Sequence, residues 1–237
     1  MSKTTWDKLL SGKELLKVKS YRNKTFILRK ERAIALPDLI DEGWAEYKKY
    51  KEPKFIGVKK DKPFDEIFEN RVWLMLCNMG FTHMNSDRKF VMSYNLQNEN
   101  ITQQIDVFAA DEETVLIVEC KAAEKIREGN FKKNIEAFYG QTGGLRKEVL
   151  QKFPGRKVKF IWATSNYVIN NADLEKLKEW NICHFGDSEI EYYTELVKHL
   201  GSAAKYQFLG NIFAGQTIKN MDNKIPAIRG KMGNHIY

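Results

Sequence analysis

Residues 103–123 read QQIDVFAADEETVLIVECKAA. The apolar run 114–118 ends in Glu119, Cys120 and Lys121, and a second acid, Asp106, sits in the apolar stretch upstream. Residues 111–113 (DEE) have the composition of a tight turn, so the spacing predicts a hairpin of strands 101–109 and 114–120. An acid and a lysine two positions apart at the end of a buried strand need a chemical reason.

Working outward, Phe64, Ile67, Phe68, Val72, Met75, Leu76 and Met79 recur at helical spacing, and Gly80 supplies a stop. Residues 89–95 alternate like a strand and lead into an asparagine-rich turn (Asn95, Asn98, Asn100). Downstream, 130–152 reads as a helix with an interruption expected at Gly143–Gly144, and 158–163 (VKFIWA) as a central strand. A helix from Asn171 follows, with Leu174, Leu177 and Trp180 on its apolar face. A strand over 182–185 and a helix over 188–200 capped by Ser188 complete the series. The order from 64 to 186 predicts an α/β fold with a mixed central sheet flanked by helices on both faces.

The expected organisation is a lysine-rich N-terminal extension over 1–60, a domain over 61–200 and a C-terminal tail over 201–237. Within the extension, 21–28 reads as a strand, 37–50 as a helix with Pro37 in its first turn, and 51–63 (KEPKFIGVKKDKP) as a connection. Of the 237 residues 43% are hydrophobic and 30% charged, as in ordinary globular chains. No apolar run approaches the ~20 residues of a membrane span, and the N-terminus lacks a signal-peptide core, so a cytoplasmic location is expected. The three cysteines, Cys77, Cys120 and Cys183, are far apart with no CxxC pair, which predicts reduced thiols. The net charge of +8 permits an anionic partner such as DNA, although acids and bases are interleaved along the chain. His83, His184, His199 and His235 lack ligand spacing, and Trp44, Trp73, Trp162 and Trp180 read as core.

Twelve residues separate Asp106 from Glu119, the length of two short strands and a turn. Paired antiparallel positions lie ~5 Å apart, where two carboxylates repel each other unless a cation intervenes. Mg²⁺ needs only one or two protein carboxylates, and the backbone carbonyl of Cys120 is a further candidate ligand. Glu119 and Lys121 share a face, so Lys121 reaches the attacking water or the scissile phosphate while the Cys120 side chain points away. Metal plus lysine suits phosphodiester hydrolysis.

Asp106, a turn, and Glu119-x-Lys121 ending an apolar strand resemble the PD-(D/E)xK, or restriction-endonuclease-like, nuclease superfamily. That superfamily includes Holliday-junction resolvases and Mrr-like enzymes. The resemblance spans residues 64–186; Ile105 stands where the motif has proline. It implies an Mg²⁺- or Mn²⁺-dependent DNA endonuclease. Glu69 on the preceding helix would support the metal site, and Gln141 in YGQTGG would orient it, with Glu136 a second option for that place. It also implies a homodimer, because duplex cleavage takes two active sites. A catalytically silent DNA-binding or regulatory module on the same fold is the alternative, and a protein-interaction module a third reading. Residues 225–233 (IPAIRGKMG) resemble the start of a DGQHR-type domain of DNA-modification and phage-defence proteins, without the five-letter motif itself.

Overall fold

The computed structural model describes residues 4–96 and 99–214. The stretch resembling a DGQHR-type domain lies outside the described residues. In chain order the elements are β1 (Leu9–Ser11), α1 (Lys13–Arg22), β2 (Phe26–Arg32), α2 (Leu36–Asp41), β3 (Ala45–Lys49) and β4 (Phe55–Asp61). Then come α3 (Phe64–Asn78), β5 (His83–Asn85), β6 (Val91–Leu96), β7 (Glu99–Gln104), β8 (Val107–Ala110) and β9 (Thr114–Gly129). The chain continues through α4 (Lys132–Lys152), β10 (Lys157–Ile169), α5 (Asn171–Glu179), β11 (Ile182–Phe185), α6 (Asp187–Leu200) and α7 (Ala204–Phe213).

The fold is mixed α/β. Its central sheet has six strands in the order β1-β5-β8-β9-β10-β11. Strands β9, β10 and β11 run parallel, and the β1, β5 and β8 side is antiparallel. The hairpin read from 103–123 is the hinge between these halves. It pairs Val107 with Val118 and Ala110 with Val115, closed by Asp111, whose Oδ1 accepts the Glu113 and Thr114 N–H groups at 3.0 and 2.8 Å. Residues Thr114 to Val118 are buried because both faces are covered. Leu116, Val118 and Cys120 pack with α3, α6 and α7, and Val115 and Ile117 pack with α4 and α5. Each fully buried aliphatic side chain contributes ~1.5–3 kcal/mol. Among the described residues no helix is long and apolar enough to cross a membrane, and all three cysteines are free.

Several local expectations are corrected. The single strand expected over 101–109 is two: β7 pairs with β6 in a separate hairpin, and β8 joins the central sheet. The chain breaks at Ile105 and Asp106 because Ile105 is drawn into the core beside Phe90 and Phe108. The interruption expected at Gly143–Gly144 is absent, and α4 runs straight through. Gly144 answers to packing: a Cβ there would meet the Tyr94 ring of β6 at 2.0 Å. Helix α6 begins at Asp187, so Ser188 lies in its first turn, and Glu189 accepts the Gly186 N–H at 3.0 Å. In the N-terminal region, α1 extends to Arg22 where a strand was expected. The helix over 37–50 stops early, because Gly43 turns the chain at φ 85°. The connection over 51–63 holds β4, which pairs with β2 and β3 in a three-stranded sheet around Trp44, Ile56 and Val58.

Candidate active site

Beyond the last paired rung of the hairpin, Val107 with Val118, lie Asp106 and Glu119. The β8 ladder stops there and the Asp106 carboxylate takes its place, with Oδ2 accepting the Cys120 N–H at 2.8 Å. In an extended strand the N–H and C=O of one residue point to the same lateral side, so the Cys120 carbonyl also faces Asp106. Asn85, fully buried at the end of β5, fixes this break. Its Nδ2 donates to the Asp106 carbonyl at 3.1 Å, and its Oδ1 accepts the Phe108 N–H at 3.0 Å.

Glu119 and Lys121 project from one face of β9, and Lys121 Nζ lies 2.6 Å from Glu119 Oε1. The ammonium also sits 5.7 Å from the Trp162 ring, on the neighbouring strand. Burial alone would lower the Lys121 pKa, but Glu119 and then Asp106 outweigh it and the group is raised, so it stays protonated at neutral pH. Asp106 is pushed up to about 7, first by burial and then by the Glu119 and Glu69 charges, against the Cys120 hydrogen bond and Lys121. Of the three acids, Glu119 pairs with Lys121 and Glu69 with Arg88, and Asp106 forms no ion pair among the described residues.

Glu69 comes from α3, on the opposite side of the sheet, and its charge reaches both Asp106 and the Cys120 thiol. Arg88 holds its Oε1 at 2.7 Å and also binds Asp65 at 2.6 Å. Burial raises the Glu69 pKa in spite of Arg88. The second oxygen, Oε2, is buried with no hydrogen-bond partner. Gln141 lies on α4 between Phe138 and Leu145, which pack on the sheet; its Oε1 is buried and unpartnered. Among the described residues it makes no hydrogen bond to Asp106, Glu119 or Lys121. Glu136, the other option for that place, is paired outward with Lys176 at 2.6 Å. The structure thus groups Asp106, Glu119 and Lys121, brings Glu69 within electrostatic reach, and leaves Gln141 on the packed face of the adjoining helix.

Among the described residues, no group of three or more His, Cys, Asp or Glu side chains is placed to hold a metal ion. Asp106 and Glu119 with one backbone carbonyl fall below that count, and such a sparse set is what Mg²⁺ commonly takes. The free Glu69 oxygen and the raised Asp106 carboxyl both fit a nearby cation. Spacing did not reveal Asn85 or Arg88. Arg88 is nineteen positions from the Glu69 it clamps and Asn85 twenty-one from Asp106, and only the fold joins them.

No family model matches the chain, and no curated protein matches it. Among solved structures, protein VC1899 from Vibrio cholerae is similar over 81% of this chain and 52% of its own, with a TM-score of 0.40 and 11% identity. The chain spans about half the length of that protein.

Proposed function

We propose that this protein is a cytoplasmic, metal-dependent DNA endonuclease of the PD-(D/E)xK type, acting in a restriction, phage-defence or DNA-modification setting. The observation that carries the reading is the crowding of carboxyls at the end of the hairpin, where Asp106 replaces the ladder beside the Glu119–Lys121 pair and burial, then Glu119 and Glu69, push it up to about 7. Asp106, Glu119 and the Cys120 carbonyl would hold Mg²⁺ or Mn²⁺, with Glu69 Oε2 in support. The ion would supply charge neutralisation at the phosphate and acidify a water.

The chain's own residues have separable tasks. Lys121, protonated and held by Glu119, would hydrogen-bond a non-bridging phosphate oxygen or orient the attacking water. Asp106 would serve the cation as an ionised ligand. Arg88 keeps Glu69 in place, and the Trp162 face limits where the Lys121 ammonium can swing. Gln141 would orient the site from α4. A homodimer would supply the second centre that duplex cleavage takes.

The test is cleavage of supercoiled duplex DNA with Mn²⁺ by the wild-type protein and by Lys121→Ala. Loss of cutting with retained fold supports the assignment, and cutting at the wild-type rate by Lys121→Ala overturns it. A second reading, a catalytically silent DNA-binding or regulatory module, is favoured by one observation: Glu119 and Glu69 each already have a cationic partner, Lys121 and Arg88. Salt-sensitive DNA binding with no Mn²⁺ uptake by calorimetry would select it.

A further inference from the structure

Beside Glu69 a cleft of about 250 Å³ opens between α1, α3 and the segment 86–89, with Arg22, Asn70, Ser86, Arg88 and Lys89 on its walls. Arg22 is its buried charge. The side chain is 3% exposed, its guanidinium lies 4.9 Å from the Trp73 ring, and Nη1 donates to Asn70 Oδ1 at 2.8 Å. Arg22 Nε and Nη2 have no acceptor, and neither does Asn70 Nδ2. A buried donor left unpaired is costly, and native interiors hold few of them. Here three sit on two touching residues at the wall of one cleft.

The acids of the cleft are already engaged. Glu66 meets the Tyr21 hydroxyl at 3.4 Å, Lys62 at 3.8 Å and Arg88 at 3.9 Å. Asp87 accepts the Lys89 N–H at 2.7 Å and pairs with Lys8 at 3.5 Å. Among the described residues Arg22 and Lys89 form no ion pair of their own. The side-chain donors left without a partner on the cleft wall are those of Arg22 and Asn70, with Glu66 and Asp87 at its rim.

We propose that this cleft is a phosphate-binding site in which Arg22 and Asn70 donate to the phosphate oxygens and Lys89 closes the outer side. The three free donors match the three unshared oxygens of a terminal or inorganic phosphate, and a guanidinium fork also suits the two unshared oxygens of a backbone diester. The site deepens the nuclease reading and rests on it for its natural ligand. Asn70 follows Glu69 on α3 and Arg88 touches Glu69, so the cleft would hold a phosphate of the DNA close to the one cut.

Inorganic phosphate titrated into the full chain by calorimetry provides the test, with Asn70→Asp as the decisive variant. Aspartate keeps the oxygen that accepts from Arg22, so the fold is retained, but it replaces the free donor with a charge that repels phosphate. Phosphate should bind the wild-type protein and bind Asn70→Asp roughly 10- to 100-fold more weakly, the equivalent of one charge-assisted hydrogen bond. No phosphate binding by the wild-type protein, or equal binding by Asn70→Asp, overturns the proposal. Paired oligonucleotides with a terminal phosphate or a terminal hydroxyl identify the source. If Asn70→Asp weakens both, the site takes a backbone phosphate; if only the phosphorylated one, a chain end. Phosphate binding by a protein that cuts no DNA would leave the site standing and remove the nuclease reading. DNA cutting with phosphate-insensitive Asn70 would do the reverse.

Discussion

Asp106 is costly to keep ionised where it stands. Its carboxyl is pushed up to about 7, so the folded protein binds a proton there that the unfolded chain has lost above about 4. Stability from this group is therefore present below pH 4 and declines as pH rises towards 7, by at most roughly 4 kcal/mol for three pKa units. Asp106→Asn still offers an oxygen to the Cys120 N–H. It should be more stable than the wild-type protein at pH 8 in chelator, and no different at pH 4. Denaturant melts at the two pH values measure this, and an equal difference at both would show that burial is not what perturbs the group. Mn²⁺ should abolish the difference by lowering the wild-type pKa, and it should release protons when added at pH 6. Asn85 is the other sensitive residue. Asn85→Ala leaves the Asp106 carbonyl and the Phe108 N–H without partners, at a cost of about 2–5 kcal/mol, read as a lower denaturation midpoint.

At the scale of elements, α4 carries a contrast between two adjacent glycines. A Cβ at Gly143 meets nothing within 4 Å, whereas at Gly144 it runs into the Tyr94 ring. Gly143→Ala should stabilise by up to about 1 kcal/mol through helix propensity. Gly144→Ala should destabilise by about 1–3 kcal/mol because α4 and β6 must separate. Thermal melts of the pair decide it, and equal shifts would mean that Gly144 has no packing role. The same position shows why some elements were legible in the sequence and others were not. Helix α3, the 114–120 strand and the 158–163 strand follow their hydrophobic spacing, because the core alone sets it. A Gly–Gly pair looks like a helix stop until the partner that needs the space is known, and Tyr94 is fifty positions away. Strand β4 was hidden for another reason. Only Ile56 and Val58 are buried apolar side chains in it, and flanking lysines and prolines made it look like a linker. The trio Asp106, Glu119 and Lys121 could be read because all three lie on one local hairpin. Arg88, Arg22 and Asn70 could not, since their partners come from other elements.

At the scale of the whole molecule, several of the chain's lysines are gathered on one small sheet. One face of the β2-β4-β3 sheet packs on α2 around Trp44, and the other is open. On the open face Phe26 meets Tyr47 at 6.3 Å, and Lys30 covers the Phe55 and Tyr50 rings at 4.2 and 4.9 Å. Lys48 and Lys59 are exposed beside them, and among the described residues none of Lys30, Lys48 and Lys59 is in an ion pair. Tyr47 is the exposed ring of the group and the others are half-buried; cations beside such rings suit a nucleic-acid backbone and its bases. If the proposed enzyme grips DNA here, each lysine that meets a phosphate contributes ~0.9 to the slope of log affinity against log salt. Replacing Lys30, Lys48 and Lys59 with glutamine should lower that slope by about 2–3 and weaken DNA binding at low salt. The cutting rate at saturating DNA should be unchanged, because the three lie on a different sheet from the hairpin that carries Asp106 and Glu119. An unchanged slope would place the DNA elsewhere, while a lost rate at saturation would show that this sheet positions the substrate as well as holding it.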